Sequence, residues 1–271
     1  MLRIPLLCFL LTVFSLTTKA SSSAGQGPLS VDQIMNLAVN KIAEDNKVKA
    51  EKLTYRKKYI EENVEYKGNK IVPKKTVKEE LYQVYSANGM WYEQLITRNG
   101  KPPKSNDGQP RLADVRPVME DILGKSRYNY TLNGLVHFNE VDVYSISFEP
   151  RHPSLQPGPE PDASLEEEIS NQIINNLSGT IYVDTGDYAI PRVEAHITKT
   201  KTPLRMKAVG IAYMFDVTLE QQKFKDNGII DIGVGKRVEI IGKGAKFNIK
   251  ILELGGQFKK VTIEYSNYEL K

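Results

Sequence analysis

The sequence holds one cysteine in 271 residues, Cys8, and that residue lies inside the first hydrophobic stretch. A lone cysteine excludes an intrachain disulfide framework. If the leader that carries it is removed, Cys-ligated zinc and a cysteine nucleophile are excluded as well. Neither sign of charge dominates: 37 Lys+Arg stand against 33 Asp+Glu, a formal net of +4. That balance lacks the broad basic footprint of a nucleic-acid-binding protein. Past the leader no run approaches the ~18 apolar residues of a membrane helix, so no transmembrane segment is expected in the mature chain. Several chemical signatures are missing too, namely Gly-x-Ser-x-Gly, a phosphate-cradling glycine loop and a dinucleotide fingerprint. What remains is a composition of 40% hydrophobic and 26% charged residues. This is globular, and it excludes a wholly disordered or collagen-like chain.

Arg3, the apolar run Ile4–Leu16 and the small-residue tail Thr17–Ala24 have the layout of a secretory signal peptide. The expected organisation is a signal peptide at 1–20, a flexible lead at 21–29 and a single domain at 30–271. The product is then secreted, and periplasmic if the host has an outer membrane.

Ser30 followed by Gln33 fits a helix capping box, and Val31, Ile34, Met35, Ala38 and Ile42 recur at helical spacing. An amphipathic helix is expected over about 31–45. From Leu53 the period changes to two. Segments 53–66, 76–87 and 90–98 read as strands, with turns at Lys67-Gly68-Asn69 and Asn88-Gly89. Residues 104–125 suggest a short helix disturbed by Pro117. Tyr128, Tyr130 and Leu132 share one strand face, as do Tyr144, Ile146 and Phe148. The prolines from Pro150 to Pro161 make a stiff connection. Ser164 with Glu167 opens a second capping box, and Leu165, Ile169, Ile173 and Leu177 continue it as an apolar helical stripe.

Period two then returns and holds to the end. It runs through Ile181 and Val183, then Val193, Ala195 and Ile197, then the face Val209, Ile211, Tyr213, Phe215 and Val217. Glycines 233, 235, 242 and 244 read as turns or bulges between strands. Long strands in sequence order, wet on one face, mean an antiparallel sheet. The expected fold is α+β, a strongly curved antiparallel sheet (a half-barrel) with helices plugging its concave face.

Asp184-Thr185-Gly186 has the letters of an aspartic-protease signature, but it occurs once, and such enzymes need two carboxylates sharing a proton. A β-turn explains it better. His137, His152 and His196 have no partner at metal-ligand spacing. Lys57-Lys58, Lys74-Lys75, Lys199 to Lys207 and Lys259-Lys260 are basic clusters. They suit either anionic head groups or solvated strand edges that discourage edge pairing, and the second reading is favoured except around Lys199–Lys207, where Lys199, Lys201, Arg205 and Lys207 lie between two strands. No catalytic residue, metal or cofactor is expected.

The stretch Leu177-Ser-Gly-Thr-Ile-Tyr-Val-Asp184, followed by a turn and Ala189-Ile-Pro-Arg-Val-Glu194, resembles a pattern of outer-membrane lipoprotein-sorting-like proteins. Tyr92-Glu-Gln-Leu-Ile-Thr-Arg-Asn-Gly-Lys-Pro102 resembles a hairpin exit of uncharacterised members. Pro191 departs from the pattern by interrupting the second strand. The resemblance implies a LolA/LolB/RseB-like half-barrel that holds or senses acyl chains in the envelope. On that basis a non-enzymatic carrier or sensor is expected, with a lipid, an acyl chain or another apolar group as ligand. Its lining would come from Trp91, Tyr92, Val209, Ile211, Tyr213 and Phe215, and only one of Trp91 and Tyr92 can face inward. The alternative is an envelope protein-interaction module with a filled core and an exposed sheet edge that docks a protein partner.

Overall fold

The computed structural model describes residues 28–68, 70–104, 106–113, 123, 127–151, 174–197, 204–206, 210–226, 230–245, 247–249, 252–254 and 258–270. At 204–206, 210–215, 230, 243–245, 247–249 and 252–254 it describes the backbone alone.

One helix, α1 (Val31–Lys52), is followed by fourteen strands among the described residues. These are β1 (Leu53–Lys67), β2 (Lys70–Ala87), β3 (Met90–Arg98), β4 (Arg111–Leu112), β5 (Tyr128–Phe138), β6 (Val141–Pro150) and β7 (Leu177–Asp184). After them come β8 (Arg192–Ile197), β9 (Leu204–Met206), β10 (Gly210–Asp226), β11 (Ile230–Ala245), β12 (Phe247–Ile249), β13 (Leu252–Leu254) and β14 (Phe258–Leu270). Twelve strands form one antiparallel sheet in the order β4-β3-β2-β1-β14-β11-β10-β8-β7-β6-β5, with β9 on the side of β10; β12 and β13 pair separately. Because the C-terminal β14 inserts between β1 and β11, two runs of neighbouring hairpins become one sheet.

The local signals explain much of this. The hydroxyl of Ser30 accepts from the Gln33 amide, and the Gln33 side chain accepts from the Ser30 amide, so the capping box is complete. Asn88 and Gly89 adopt φ of 54° and 73°, and Asn99 and Gly100 adopt 50° and 73°. These left-handed pairs join β2 to β3 and turn the chain after β3, as a two-residue type I′ hairpin requires. Asn139 and Glu140 make a third such turn, with φ of 48° and 67° and no glycine.

α1 runs on to Lys52 and enters β1 without a loop. Its 22 residues span about 33 Å at 1.5 Å each. Eight strands at about 4.8 Å are equally wide. The helix accordingly crosses the sheet. Ile34, Met35, Ala38 and Ile42 pack with Tyr128 of β5, Ile146 and Phe148 of β6, Ile181 of β7 and Val193 of β8. At its far end the Ala50 carbonyl accepts from the Ser86 hydroxyl of β2. Each large aliphatic side chain fully buried here contributes roughly 1.5–3 kcal/mol.

Three sequence expectations change. Leu177 opens β7 and is not the last turn of a helix; the rest of the second helical stripe, 164–173, lies outside the described residues. A plug of two helices is therefore not established, and α1 alone covers the sheet in the described structure. The region read as a disturbed helix over 104–125 contains the short strand β4, while Asp114, Pro117, Val118, Met119 and Ile122 are outside the described residues. The four glycines at 233–244 lie within one 16-residue strand. They make no turn, although Gly235 borders the bulge at Lys236; Gly235 and Gly233 also leave room, since a Cβ on Gly235 would sit 3.1 Å from the Tyr265 ring and one on Gly233 would sit 3.1 Å from the Asp45 carboxylate.

The sheet also divides. β11 pairs with β14 only from Arg237 to Gly242. Beyond Arg237, β14 continues with β1 to Leu270 while β11 continues with β10 to Ile230. A bulge marks each arm near the parting: Asn267 and Tyr268 of β14 stand opposite Tyr55 alone, and Lys236 of β11 is the extra residue opposite the Glu220–Gln221 step of β10. Leu53, Ile232 and Val234 fill the fork with Val48, Tyr55, Trp91, Phe224, Tyr268 and Leu270, and the Tyr268 hydroxyl reaches across to donate to the Gly235 carbonyl.

Candidate functional site

The structure separates the Trp91–Tyr92 pair. Trp91 shares a face with the buried Glu93 and Leu95, and its ring lies 5.9 Å from that of Tyr55 on the α1 side of the sheet. Tyr92 lies on the opposite face, stacked on Tyr85 at 5.6 Å. Val209 lies outside the described residues. Ile211, Tyr213 and Phe215 are placed in β10 by their backbone, and a register slip between Ala212 and Met214 interrupts the expected alternation there.

Next to Trp91 the α1 face of β1–β3 carries something the alternation did not disclose. Glu61, Glu80 and Glu93 are only 8%, 2% and 5% exposed. Each is held by cations from elsewhere. Lys259 reaches Glu61 at 2.5 Å. Glu80 accepts from Tyr82 Oη at 2.6 Å and from Arg98 Nε at 2.8 Å, with Lys78 also at 2.8 Å. Glu93 accepts from Arg111 at 2.7 and 2.9 Å and from Lys57, whose ammonium lies 4.7 Å over the Tyr82 ring. Burial alone would raise the Glu80 pKa, but the hydrogen bonds from Lys78, Tyr82 and Arg98 outweigh it and hold the carboxyl below its ordinary value. Each of the three carboxylates is thus committed to ion pairs within the sheet.

Five lysines of the basic clusters follow the same line, whereas Lys199, Lys201 and Lys207 lie outside the described residues. Lys57, Lys58, Lys74, Lys259 and Lys260 pair with Glu93, Glu79, Glu65, Glu61 and Glu239 respectively. Asp184-Thr-Gly is a turn, as expected. Gly186 donates to Asp184 Oδ1 at 2.7 Å, Tyr188 donates to the Asp184 carbonyl at 3.1 Å, and Lys223 bridges Asp184 and Asp187. His137 meets Asp142 at 3.0 Å and His196 meets the Ser178 hydroxyl at 3.3 Å, whereas His152 lies outside the described residues. Among the described residues no three His, Cys, Asp or Glu side chains gather where they could hold a metal ion.

Among the described residues the two edges of the large sheet differ. One ends in β4, which is two residues long, carries a charged Arg111 and a 63% exposed Leu112, and covers β3 only at Tyr92 and Glu93. The other is β5, eleven residues long, Tyr-Asn-Tyr-Thr-Leu-Asn-Gly-Leu-Val-His-Phe, without an Asp, Glu, Lys or Arg. Natural edges are usually short or charged, because a long apolar one pairs with whatever strand it meets. Of the nine large hydrophobic side chains that are exposed among the described residues, four sit on the β5–β6 hairpin: Leu132, Leu135, Val136 and Val141, with Leu135 at 64%. A register shift at Asn133, next to Gly134 with φ of 130°, twists the strand between Leu132 and Leu135.

No known family model matches this chain, and no curated protein does. Solved structures do. The chain resembles a DUF1329 family protein from Desulfovibrio piger at 10% identity, covering 89% of this chain and 93% of that one with a TM-score of 0.39. It also resembles a LolA superfamily protein from Nitrosomonas europaea (10% identity, 86% and 93% covered, TM-score 0.34). A third is an outer membrane lipoprotein-sorting protein domain from Vibrio parahaemolyticus (9% identity, 86% and 93% covered, TM-score 0.36).

Proposed function

We propose that this chain is an exported, non-catalytic binding protein of the cell envelope that holds an extended segment of a partner protein along β5. The observation that supports this is the β5 edge itself, eleven residues long among the described residues, without an Asp, Glu, Lys or Arg, and bearing exposed Leu132, Leu135 and Val136. Adding a strand supplies affinity through the backbone ladder, while Leu132, Leu135 and Val136 select the incoming side chains. No reacting group is needed for such work.

A lipid or acyl cargo held under the helix draws less support. Ile34, Met35, Ala38, Ile146, Ile181 and Val193 are essentially fully buried against one another, which leaves the face beneath the first half of α1 filled. No helix among the described residues is long and apolar enough to cross a membrane.

The test replaces Leu135 by a photo-crosslinking amino acid in the full chain, expressed in its host. A discrete adduct is expected, and it should disappear when Val136→Lys is added. Labelling that is diffuse, or indifferent to Val136→Lys, would remove the edge as the docking surface. Native mass spectrometry of the same preparation reads the rival outcome directly, since co-purifying lipid would favour cargo over a protein partner.

A further inference from the structure

We infer that the fork between β11 and β14 is a binding site for a phosphate-bearing ligand. Where the two strands part, a cleft of about 550 Å³ opens. Its volume lies within the range of roughly 300–1,000 Å³ typical of small-molecule sites. Arg56, Lys58, Lys236 and Arg237 contribute four positive charges to its wall; Glu220 and Glu264 contribute two negative ones.

Both carboxylates already have cations beside them. Glu220 accepts from Arg192 at 3.0 Å. Glu264 stands directly opposite Lys58 on one neighbouring strand and opposite Arg237 on the other. Lys58 in turn reaches Glu79 at 3.2 Å, and Arg237 donates through Nη2 to Glu239 at 2.9 Å. Arg56 and Lys236 are left without an ion-pair partner among the described residues, and both are exposed. The Nε of Arg237 is buried with no acceptor. Two uncommitted cations in one cleft, with the Arg237 guanidinium beside them, suit an oxyanion of charge near −2, the chemistry of a phosphate group.

The rest of the cleft fits an organic phosphate better than a bare ion. Tyr265 lines it beside Ser266 and Asn267, which supply neutral hydrogen-bonding groups. Its ring packs edge-on against Tyr55 and over the backbone of Gly235. The bulge in each arm releases backbone from the ladder at the point where the ligand would sit. This cleft and β5 are separated by β10, β8, β7 and β6 in the sheet, so the two sites stand or fall separately.

Two probes distinguish the sources of such a group. Titration calorimetry with glycerol phosphate reads a soluble ligand, and sedimentation with phosphatidylcholine vesicles, with and without phosphatidylglycerol, reads a lipid head group. Saturable binding to the first probe, or to phosphatidylglycerol vesicles alone, supports the site and names its source. In either case Arg56→Glu with Lys236→Glu should weaken binding at least tenfold. Arg56→Lys with Lys236→Arg should keep most of it, and Lys101→Glu, at a distant turn, should not matter. Melting temperatures verify that the exposed replacements leave the fold intact. Absence of saturable binding to both probes, equal binding to neutral vesicles, or an undiminished affinity in the double charge reversal would overturn the assignment.

Discussion

Gly179 in β7 faces Glu194 in β8 so closely that a Cβ on the glycine would fall 1.9 Å from the Glu194 carbonyl oxygen and 2.9 Å from the Ala195 Cα. The obstacle is backbone in the middle of a ladder, with β6 on one side of β7 and β8 on the other. Neither can step aside without breaking hydrogen bonds. Gly179→Ala is therefore expected to destabilise by at least about 3 kcal/mol, at the upper end of overpacking costs. Urea unfolding of the two proteins measures it, and a difference below 1 kcal/mol would mean that β7 and β8 lie farther apart than described.

A second prediction concerns Glu80. Its carboxylate gathers Tyr82, Arg98 and Lys78 in a place that is otherwise closed to water. Glu80→Gln keeps the shape but removes the charge, and should cost about 2 kcal/mol at pH 7. The half-exposed cations recover some solvation, which keeps the loss below that of a fully buried pair. The pH dependence has a definite sign. The folded carboxyl binds its proton less readily than an ordinary glutamate, so its contribution is complete above the unfolded pKa of about 4.3 and fades as the pH falls through the folded value. The stability gap between wild type and Glu80→Gln should hold from pH 7 to about 5 and narrow below 4. A gap that widens on acidification would contradict the network.

How much of this was legible in the sequence depends on where the information sits. The capping box and the Asn-Gly turns are local, because Ser30–Gln33 and Asn88–Gly89 carry their own geometry within four residues. The Asn139-Glu140 turn lacks the glycine that usually announces it. Glu61, Glu80 and Glu93 sit at core positions, yet a carboxylate in an alternating strand reads as the wet face. Lys259, which satisfies Glu61, lies 198 residues away in sequence. Adjacent aromatics such as Trp91 and Tyr92 must point opposite ways, and only neighbours on other strands decide which is inside. The room that Gly233 and Gly235 leave is hidden for a similar reason, since the groups that need it belong to α1 and β14.

The tyrosines of the fork give an alkaline signature. Burial raises the phenol of Tyr265 to about 12, and it pushes Tyr55 and Tyr268 well above the usual value of about 10. A phenol whose folded pKa is raised adds stability below its unfolded value, and that stability is lost as the pH climbs toward the folded one. Spectrophotometric titration should show part of the fourteen tyrosines ionising near pH 10 and the remainder only in a cooperative step at or above about pH 12, together with loss of near-ultraviolet dichroism. All fourteen titrating together near pH 10 in the folded protein would mean that the fork is open to water.

Asp45 tests how the helix is joined to the forked arm. It occupies the apolar stripe of α1, one turn past Ile42, and is 4% exposed. Its Oδ2 accepts from the Gly233 amide at 2.8 Å, and Lys41 closes over Oδ1 at 2.9 Å while donating to the Asp231 carbonyl at 3.2 Å. One carboxylate thus anchors the β10–β11 hairpin to the helix. Asp45→Ala leaves the Gly233 amide buried without an acceptor, a cost of about 1–3 kcal/mol. Asp45→Asn retains an acceptor and loses only charge, so it should cost about half as much. Hydrogen exchange locates the effect: amides in 230–235 should lose protection in Asp45→Ala, while those of β7 and β8, held by the core under the first half of α1, should keep theirs. Uniform loss across both regions would mean that the hairpin and the main core unfold as one unit and that Asp45 is not a local anchor.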